Sequence, residues 1–386
     1  MKTAFRWVGA TLLLSSSWLG ARDLTPEVRA RLLAPTATVQ LGRAAVTIPM
    51  RGTDRQGYYK CPYFQVYVNK KGPFTFVFDT GASYTVVSSR VVAAANTPVA
   101  FDRNGDRDVV EISDLSVGGV QLKDLWAIHD DAFGVDGVLG FRAFGKANLL
   151  FDLKARQLLV SHAAIRLPRS FELAFDAPHN IPRVPVRIGS RLVPILIDTG
   201  DDAYGLELRP DDLGDAATEH PPAAAGSVLN GAKVQSTQVT ILRDPIGLGP
   251  TRADHAVIGV NADLPESDFG YDVLRQFRFV IDPPAQVVRF QPRFRGDLFV
   301  VPPTLSAGFT MQFDGSGRVK DVVSNSEADR AGLRLGDQIV AVAGIASKSL
   351  TPRSWDRLLV PSHDLDISWI HAGQPKSGRW KVRSVS

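Results

Sequence analysis

Asp79-Thr80-Gly81 and Asp198-Thr199-Gly200 are two copies of one triplet, and each arrives at the end of an apolar run. The runs are Phe74-Thr75-Phe76-Val77-Phe78 and Val193-Pro194-Ile195-Leu196-Ile197. A buried strand that ends in Asp-Thr-Gly puts a carboxylate at a strand end, and glycine permits the sharp turn that a Cβ would obstruct. Each threonine hydroxyl can then bond across to the other loop and hold both carboxylates in place. One triplet alone is ordinary turn chemistry. Two in the same strand context point to a paired-carboxylate site, whose chemistry is the giving and taking of protons.

The elements that must position these triplets repeat as well. Val66-Tyr67-Val68-Asn69 and a Lys-Gly turn precede the first, and Val184-Pro185-Val186-Arg187 with Ile188-Gly189-Ser190 precede the second. Downstream, Val138-Leu139-Gly140 is followed by Leu149-Leu150-Phe151-Asp152 and a strand from Gln157 to Val160. In the second half Asp268-Phe269-Gly270 is followed by Phe279-Val280-Ile281-Asp282 and a strand from Gln286 to Phe290. Gly140 and Gly270 stand as far apart as Asp152 and Asp282. Each half also carries one Asn-Gly pair, Asn104-Gly105 and Asn230-Gly231, a strong hairpin signal. The chain holds an internal duplication.

On these residues the chain resembles the retropepsin-like aspartic proteases, in a single-chain form where two lobes replace the two subunits of a retroviral enzyme. The resemblance covers roughly 45–294. It implies that Asp79 and Asp198 are the catalytic pair, that Thr80, Gly81, Thr199 and Gly200 support the active-site loops, and that the Asn104-Gly105 and Asn230-Gly231 hairpins are candidate flaps. Val138-Leu139-Gly140 and Phe269-Gly270 match the element that packs behind each loop. Two departures stand out: Asp268 occupies a place where an apolar residue is usual, and neither candidate flap carries the tyrosine of the stomach enzymes. The mechanism implied is hydrolysis of a peptide bond by an activated water, without a covalent intermediate. Two carboxyls about 3 Å apart share one proton, so the ionised member takes a proton from the water while the protonated member polarises the scissile carbonyl. Stomach-type enzymes place a serine or threonine after the triplet, whereas this chain has Ala82 and Asp201, neither of which can donate a hydrogen bond when the aspartate is ionised. The pair is therefore expected to titrate higher, more so if Asp201 points toward it; the alternative is that Asp201 faces water or substrate.

Composition fits a β-rich protein of two or three domains: 386 residues, 44% hydrophobic. The 44 basic and 40 acidic residues are interspersed and leave a net charge of +4, with no nucleic-acid patch. A single cysteine, Cys61, forbids an internal disulfide. Met1-Lys2 and Arg6 precede an apolar run from Trp7 to Gly20, which reads as a signal peptide over 1–21 and implies export to the periplasm or cell envelope. A retained anchor is the rival reading, although the run is short for a bilayer span. An N-terminal extension over 22–44 follows, with a short helix through Thr25 to Leu33 that Asp23 is placed to cap. Lobe one then occupies 45–166 and lobe two 167–295, joined by a proline-marked crossover. The stretch 211–226, with Pro221, Pro222 and an alanine run, reads as a surface loop.

The last part, 296–386, changes character. The run Asn325-Ser326-Glu327-Ala328-Asp329-Arg330-Ala331-Gly332-Leu333-Arg334-Leu335-Gly336-Asp337-Gln338-Ile339-Val340 resembles the PDZ domains of bacterial exported proteases. Ser326 is placed to cap a short helix that Gly332 ends, and Ser354 to Leu359 would form a second helix beside the groove. The resemblance implies that Ala307, Gly308, Phe309 and Thr310 form the peptide-binding loop and strand, where backbone amides capture a protein C-terminus. A PDZ fold that only packs against the protease is the alternative.

Asp102-Arg103-Asn104-Gly105-Asp106-Arg107-Asp108 alternates oxygen ligands, but its glycine falls at the wrong place and no glutamate closes the loop. The histidines lack zinc spacing, and no Gly-x-Ser-x-Gly elbow occurs. The expectation is a mainly β protein with a duplicated, two-lobed aspartic-protease fold and a small α+β PDZ domain. It acts as an endopeptidase on peptide or protein substrates, with no cofactor and no metal. The other readings are an inactive peptide-binding scaffold of the cell envelope and an enzyme that processes only its own precursor.

Overall fold

The run that ends in Asp79 forms the strand Lys71–Asp79, and the run before Asp198 forms Arg191–Ile197. Both begin exposed and finish continuously buried, because neighbouring strands and side chains cover both faces at the end next to the Asp-Thr-Gly triplet. The computed structural model describes residues 10–11, 25–34, 38–51, 61–101, 108–131, 135–176, 181–201, 204–230, 233–303, 305–313, 315–323, 325–350, 354–355, 358–359 and 364–384. The architecture is mainly β.

Each of the two strands has the same neighbours. An antiparallel hairpin partner precedes it, Tyr63–Val68 in the first half and Arg183–Ile188 in the second. A parallel partner arrives later in the chain, Gly137–Gly140 or Asp268–Phe269, and brings Gly140 opposite Asp79. A further short strand, Thr85–Val87 or Leu206–Leu208, closes antiparallel on that parallel partner. The first set lies in an 8-stranded sheet and the second in a 10-stranded sheet.

A third sheet of six strands draws on both halves, in the order Phe171–Ala174, Val287–Pro292, Phe277–Asp282, Asn148–Asp152, Gln157–Ser161, Ala45–Pro49. Its central pair, Asn148–Asp152 against Phe277–Asp282, is the two copies of the repeated motif paired antiparallel, with Leu150 opposite Val280. The Phe151 and Phe279 rings stack across this seam at 4.8 Å, and Phe78 lies 5.5 Å from Phe151. One apolar core thus runs from the Asp79 strand through the seam into the second half. Each buried phenylalanine contributes about 2 kcal/mol to that continuity.

The C-terminal residues form a four-stranded sheet from Ile345–Ala346, Gln338–Val342, Asp364–His371 and Gln374–Lys381, beside the pair Phe309–Met311 and Val319–Val322. They enclose a separate core of Phe309, Trp355, Trp369 and Trp380. Ser326 caps the helix Glu327–Arg330 by accepting from Asp329 N–H at 3.1 Å. Gly332 and Gly336 have φ of 85° and 86°, the left-handed region where glycine is favoured. The second helix expected at Ser354 to Leu359 lies partly outside the described residues.

Several expectations need correction. The N-terminal helix is Pro26–Leu33 and Thr25 caps it, its Oγ1 accepting from Val28 N–H at 3.3 Å, while Asp23 lies outside the described residues. Proline at the first helical position fixes the start there. The extension packs on the first half: Thr38–Leu41 pairs with Val120–His129, and Val28 and Leu32 pack with Tyr84 and Ala82. The stretch 211–226 is not all loop, because its alanine run enters the strand Ala223–Asn230, where pairing with Lys233–Ile241 overrides weak strand propensity. Residues 297–302, expected with the C-terminal domain, pack on the second half instead: Phe299 and Val301 join the main core, and Phe299 N–H donates to Arg252 O at 2.9 Å. The stretch 1–21, expected to be a signal peptide, lies outside the described residues apart from Ala10–Thr11, which pairs with Ala223–Asn230. Among the described residues, no helix is long and apolar enough to cross a membrane.

Candidate active site

The two strand ends meet, and the residues of both triplets come together with every carboxyl, hydroxyl and glycine placed against the opposite loop. Asp79, Thr80, Asp198 and Thr199 are all fully buried. Within each loop the turn folds back on its own carboxylate. Gly81 and Ala82 N–H donate to Asp79 Oδ1 at 2.8 and 3.1 Å, and Gly200 and Asp201 N–H donate to Asp198 Oδ1 at 2.6 and 3.1 Å. The same oxygen on each side takes both bonds, and neither Oδ2 meets a donor of that kind. The two carboxyls interact directly with each other.

The threonines lock the loops reciprocally. Thr80 N–H donates to Thr199 Oγ1 at 3.1 Å and Thr199 N–H donates to Thr80 Oγ1 at 3.0 Å. Each hydroxyl then donates onward to the strand that carries the opposite aspartate: Thr199 Oγ1–H to Phe78 O at 2.9 Å, and Thr80 Oγ1–H to Ile197 O. The glycines let the loops approach this closely. A Cβ on Gly81 would lie 2.6 Å from Asp198 Cγ, and one on Gly200 would lie 2.6 Å from Asp79 Oδ1. Behind the loops, Asp198 N–H donates to Phe269 O at 3.0 Å, and Gly140 stands opposite Asp79.

Burial is the main reason that both carboxyls hold their protons more tightly than a free aspartate. For Asp79 the next cause is the charge of Asp198, and its affinity rises well above the usual range. Asp198 is pushed up to about 7, with the charge of Asp201 as the second cause. Asp201 is itself fully buried, so it does not face water, and its charge acts on Asp198. Two close carboxyls that resist double ionisation keep one proton between them, which is the state that acid–base hydrolysis requires.

Residues 64–143 match the family model for an aspartyl protease. Among solved structures the chain is similar to a retropepsin-like aspartic protease from Rickettsia conorii, at 16% identity, covering 32% of this chain and 91% of that one, with a TM-score of 0.24. No curated protein matches it. The family match spans the Asp79 strand, its turn and Val138-Leu139-Gly140, so the first half carries the pattern of an aspartyl protease domain.

The other candidates divide. Asn104 and Gly105 lie outside the described residues. Asn230 ends its strand opposite Lys233, so a hairpin turns there, with Gly231 outside the described residues. In the C-terminal loop, the Ala307 and Phe309 side chains are buried: Phe309 packs 5.2 Å from the Trp355 ring, and Trp380 Nε1–H donates to Ala307 O at 2.7 Å. Gly308 has φ of 83°, its N–H donates to Ser306 Oγ at 2.9 Å, and its carbonyl accepts from Val323 N–H at 2.9 Å. Thr310 lies in the strand opposite Asp321, partly exposed.

Two features were missed from the sequence. Cys61 reaches the active-site loop of the other half, its thiol donating to Gly200 O at 3.2 Å. Glu207 joins Asp201 and Asp268 in a buried carboxyl cluster behind Asp198. Aligning the two halves residue by residue would have exposed the cluster; nothing local marks Cys61.

Proposed function

We propose that the chain is an aspartic endopeptidase of two lobes, with Asp79 and Asp198 activating a water for attack on a peptide carbonyl. The observation that carries this reading is the reciprocal threonine lock, which holds two carboxyls from separate halves against each other with one oxygen of each already saturated by backbone donors. A scaffold that needed only turns would not need to bury two like charges. The ionised carboxylate accepts a proton from the water, and the protonated one donates to the developing oxyanion. Neither step needs a cofactor. The inactive-scaffold reading would gain weight from an altered pair, but both aspartates are present and paired.

The test is to incubate the purified protein with a diverse peptide mixture from acidic to neutral pH. Cleavage is expected, and its pH profile follows from the pair. Activity falls at low pH, where both carboxyls are protonated and no base remains, and at high pH, where both are ionised and no acid remains. Because burial raises both groups, helped by the charge of Asp198 at Asp79 and of Asp201 at Asp198, the active window lies above the ~3.9 of a free aspartate and extends toward neutrality. A folded protein that releases no peptide at any pH would favour the scaffold.

The reading also assigns the C-terminal part to a PDZ domain for peptide or protein recognition, and the N-terminal run to export into the cell envelope. Support for the first is the short capped helix and the left-handed glycine in the loop before Phe309–Met311. With the Gly308 amide engaged by Ser306, a ligand would be held chiefly as an added strand. Truncation after Pro303, which spares Phe299 and Val301, is expected to leave short-peptide cleavage intact and to reduce selection of larger partners. Complete loss of short-peptide cleavage in a folded truncation would show that this domain completes the active site.

A further inference from the structure

The two halves differ at one buried place behind their catalytic loops. In the first half Ala82, Val86 and Val138 belong to one apolar cluster, each at most 1% exposed. Strand register identifies their counterparts. Val138 pairs with Val86 on one side and Val77 on the other, while Asp268 pairs with Glu207 and Leu196 in the same two senses. Ala82 and Asp201 each directly follow a triplet. Three apolar side chains of the first half are therefore three carboxyls in the second.

The first half demonstrates that this fold needs no acid at any of these positions. In the second half all three side chains are fully buried, and one oxygen from each lies within 4.8 Å of the others. Both oxygens of Glu207 and both of Asp268 are buried without a well-formed hydrogen bond, and the polar groups beside them include Asn261 and Asp201. Burial and then the charge of Asp201 raise the proton affinity of Glu207 and of Asp268 well above the usual carboxylate range, and a hydrogen bond from Asn261, whose Oδ1 accepts from Asp263 N–H at 2.9 Å, opposes this at Glu207. The charges acting on Glu207 and Asp268 come from Asp198, Asp201 and each other, all acidic. The backbone closes on the cluster without intervening side chains: a Cβ on Gly259 would lie 2.7 Å from Glu207 Cγ, and one on Gly270 would meet Asp201 Oδ2 at 2.5 Å. Acids buried together without a counter-charge are among the costliest arrangements in a protein interior unless a cation joins them.

We propose that Asp201, Glu207 and Asp268 form a binding site for a hard divalent cation of the calcium class. An all-oxygen, all-carboxylate set selects calcium, magnesium or manganese over softer metals. Calcium takes six to eight oxygens at about 2.3–2.6 Å, so oxygens on opposite sides of the ion lie about 4.6–5.2 Å apart, the span of this cluster. The ion takes no part in the hydrolysis. Its role follows from Asp201, whose carboxylate is a ligand and whose N–H donates to Asp198 Oδ1 at 3.1 Å. Occupancy fixes the loop that holds Asp198. The inference departs from the expectation of a metal-free protein, and it does not rest on the proteolytic reading.

The experiment uses the full-length protein, stripped with a chelator, then exposed to calcium, magnesium or manganese at neutral pH and desalted before elemental analysis and thermal unfolding. About one ion per chain is expected to remain, with a Tm several degrees above that of the stripped protein. The variant Asp201→Ala, Glu207→Val, Asp268→Val carries the side chains that the first half accommodates at the same places, so it is expected to fold, retain no ion and melt at one temperature with or without cation. If that variant fails to fold, Asp268→Asn replaces it and is expected to weaken the Kd at least tenfold. The proposal is overturned if the wild type retains none of the three ions and its Tm ignores them, which would mean that the carboxyls are held protonated. It is equally overturned if the triple variant or Asp268→Asn binds as the wild type does.

Discussion

On the proposed endopeptidase reading, Asp79→Asn and Asp198→Asn are each expected to abolish peptide hydrolysis, with a loss of about 10³-fold or more in kcat/KM, while the protein stays folded. The loss follows because an amide can neither take a proton from water nor return one to the leaving nitrogen. The fold survives because Asn Oδ1 can still accept the two backbone N–H bonds that shape each turn, Gly81 and Ala82 on one side and Gly200 and Asp201 on the other. Removing one of two close, buried acids also relieves their mutual repulsion, so Tm is expected to hold or rise. Steady-state kinetics beside a melting curve checks both halves of the claim. Wild-type turnover in either variant would remove that residue from the mechanism.

The second large effect comes from the smallest residues of the site. Gly81→Ala places a methyl group 2.6 Å from Asp198 Cγ, and Gly200→Ala places one 2.6 Å from Asp79 Oδ1. Neither glycine has a positive φ, so the penalty comes from space and not from backbone strain. The two loops must part, and the reciprocal threonine bonds lengthen with them. Overpacking of this kind costs about 1–3 kcal/mol. A displacement near 1 Å between the carboxyls costs about 10²-fold in rate. Both variants should therefore melt earlier and hydrolyse peptides at least about 10²-fold more slowly. Gly42→Ala is the matched control, since nothing lies within 4 Å of its added methyl. Normal activity and melting in Gly81→Ala would show that the loops do not meet as described.

The meeting of the two triplets was legible because the pattern is written twice. The strand-to-triplet runs, the Val138-Leu139-Gly140 and Asp268-Phe269-Gly270 returns and the later strands appear in the same order, and they occupy matching places in the two large sheets. Short-range rules also located Ser326 as a cap and the strand Gln338–Val342 after its glycine turn. What escaped depends on contacts far apart in sequence. The thiol of Cys61 and the carbonyl of Gly200 are 139 residues apart, and no local pattern predicts such a meeting. Phe299 falls with the C-terminal domain until the rings of Phe269 and Phe277 are placed beside it, at 6.3 and 5.9 Å. Asp201 and Asp268 stand out as departures one by one. Glu207 acquires meaning only when register sets it opposite Asp268.

The six-stranded sheet has a further consequence. Where the two halves of such a site belong to separate chains, the working molecule exists only in proportion to an association equilibrium, and it disappears on dilution. Here the strands Asn148–Asp152 and Phe277–Asp282 are hydrogen-bonded neighbours within one covalent chain. Each half meets the other at a fixed effective molarity that the solution cannot change. The site therefore assembles in a unimolecular step, and a single molecule released into a large volume carries the whole of it.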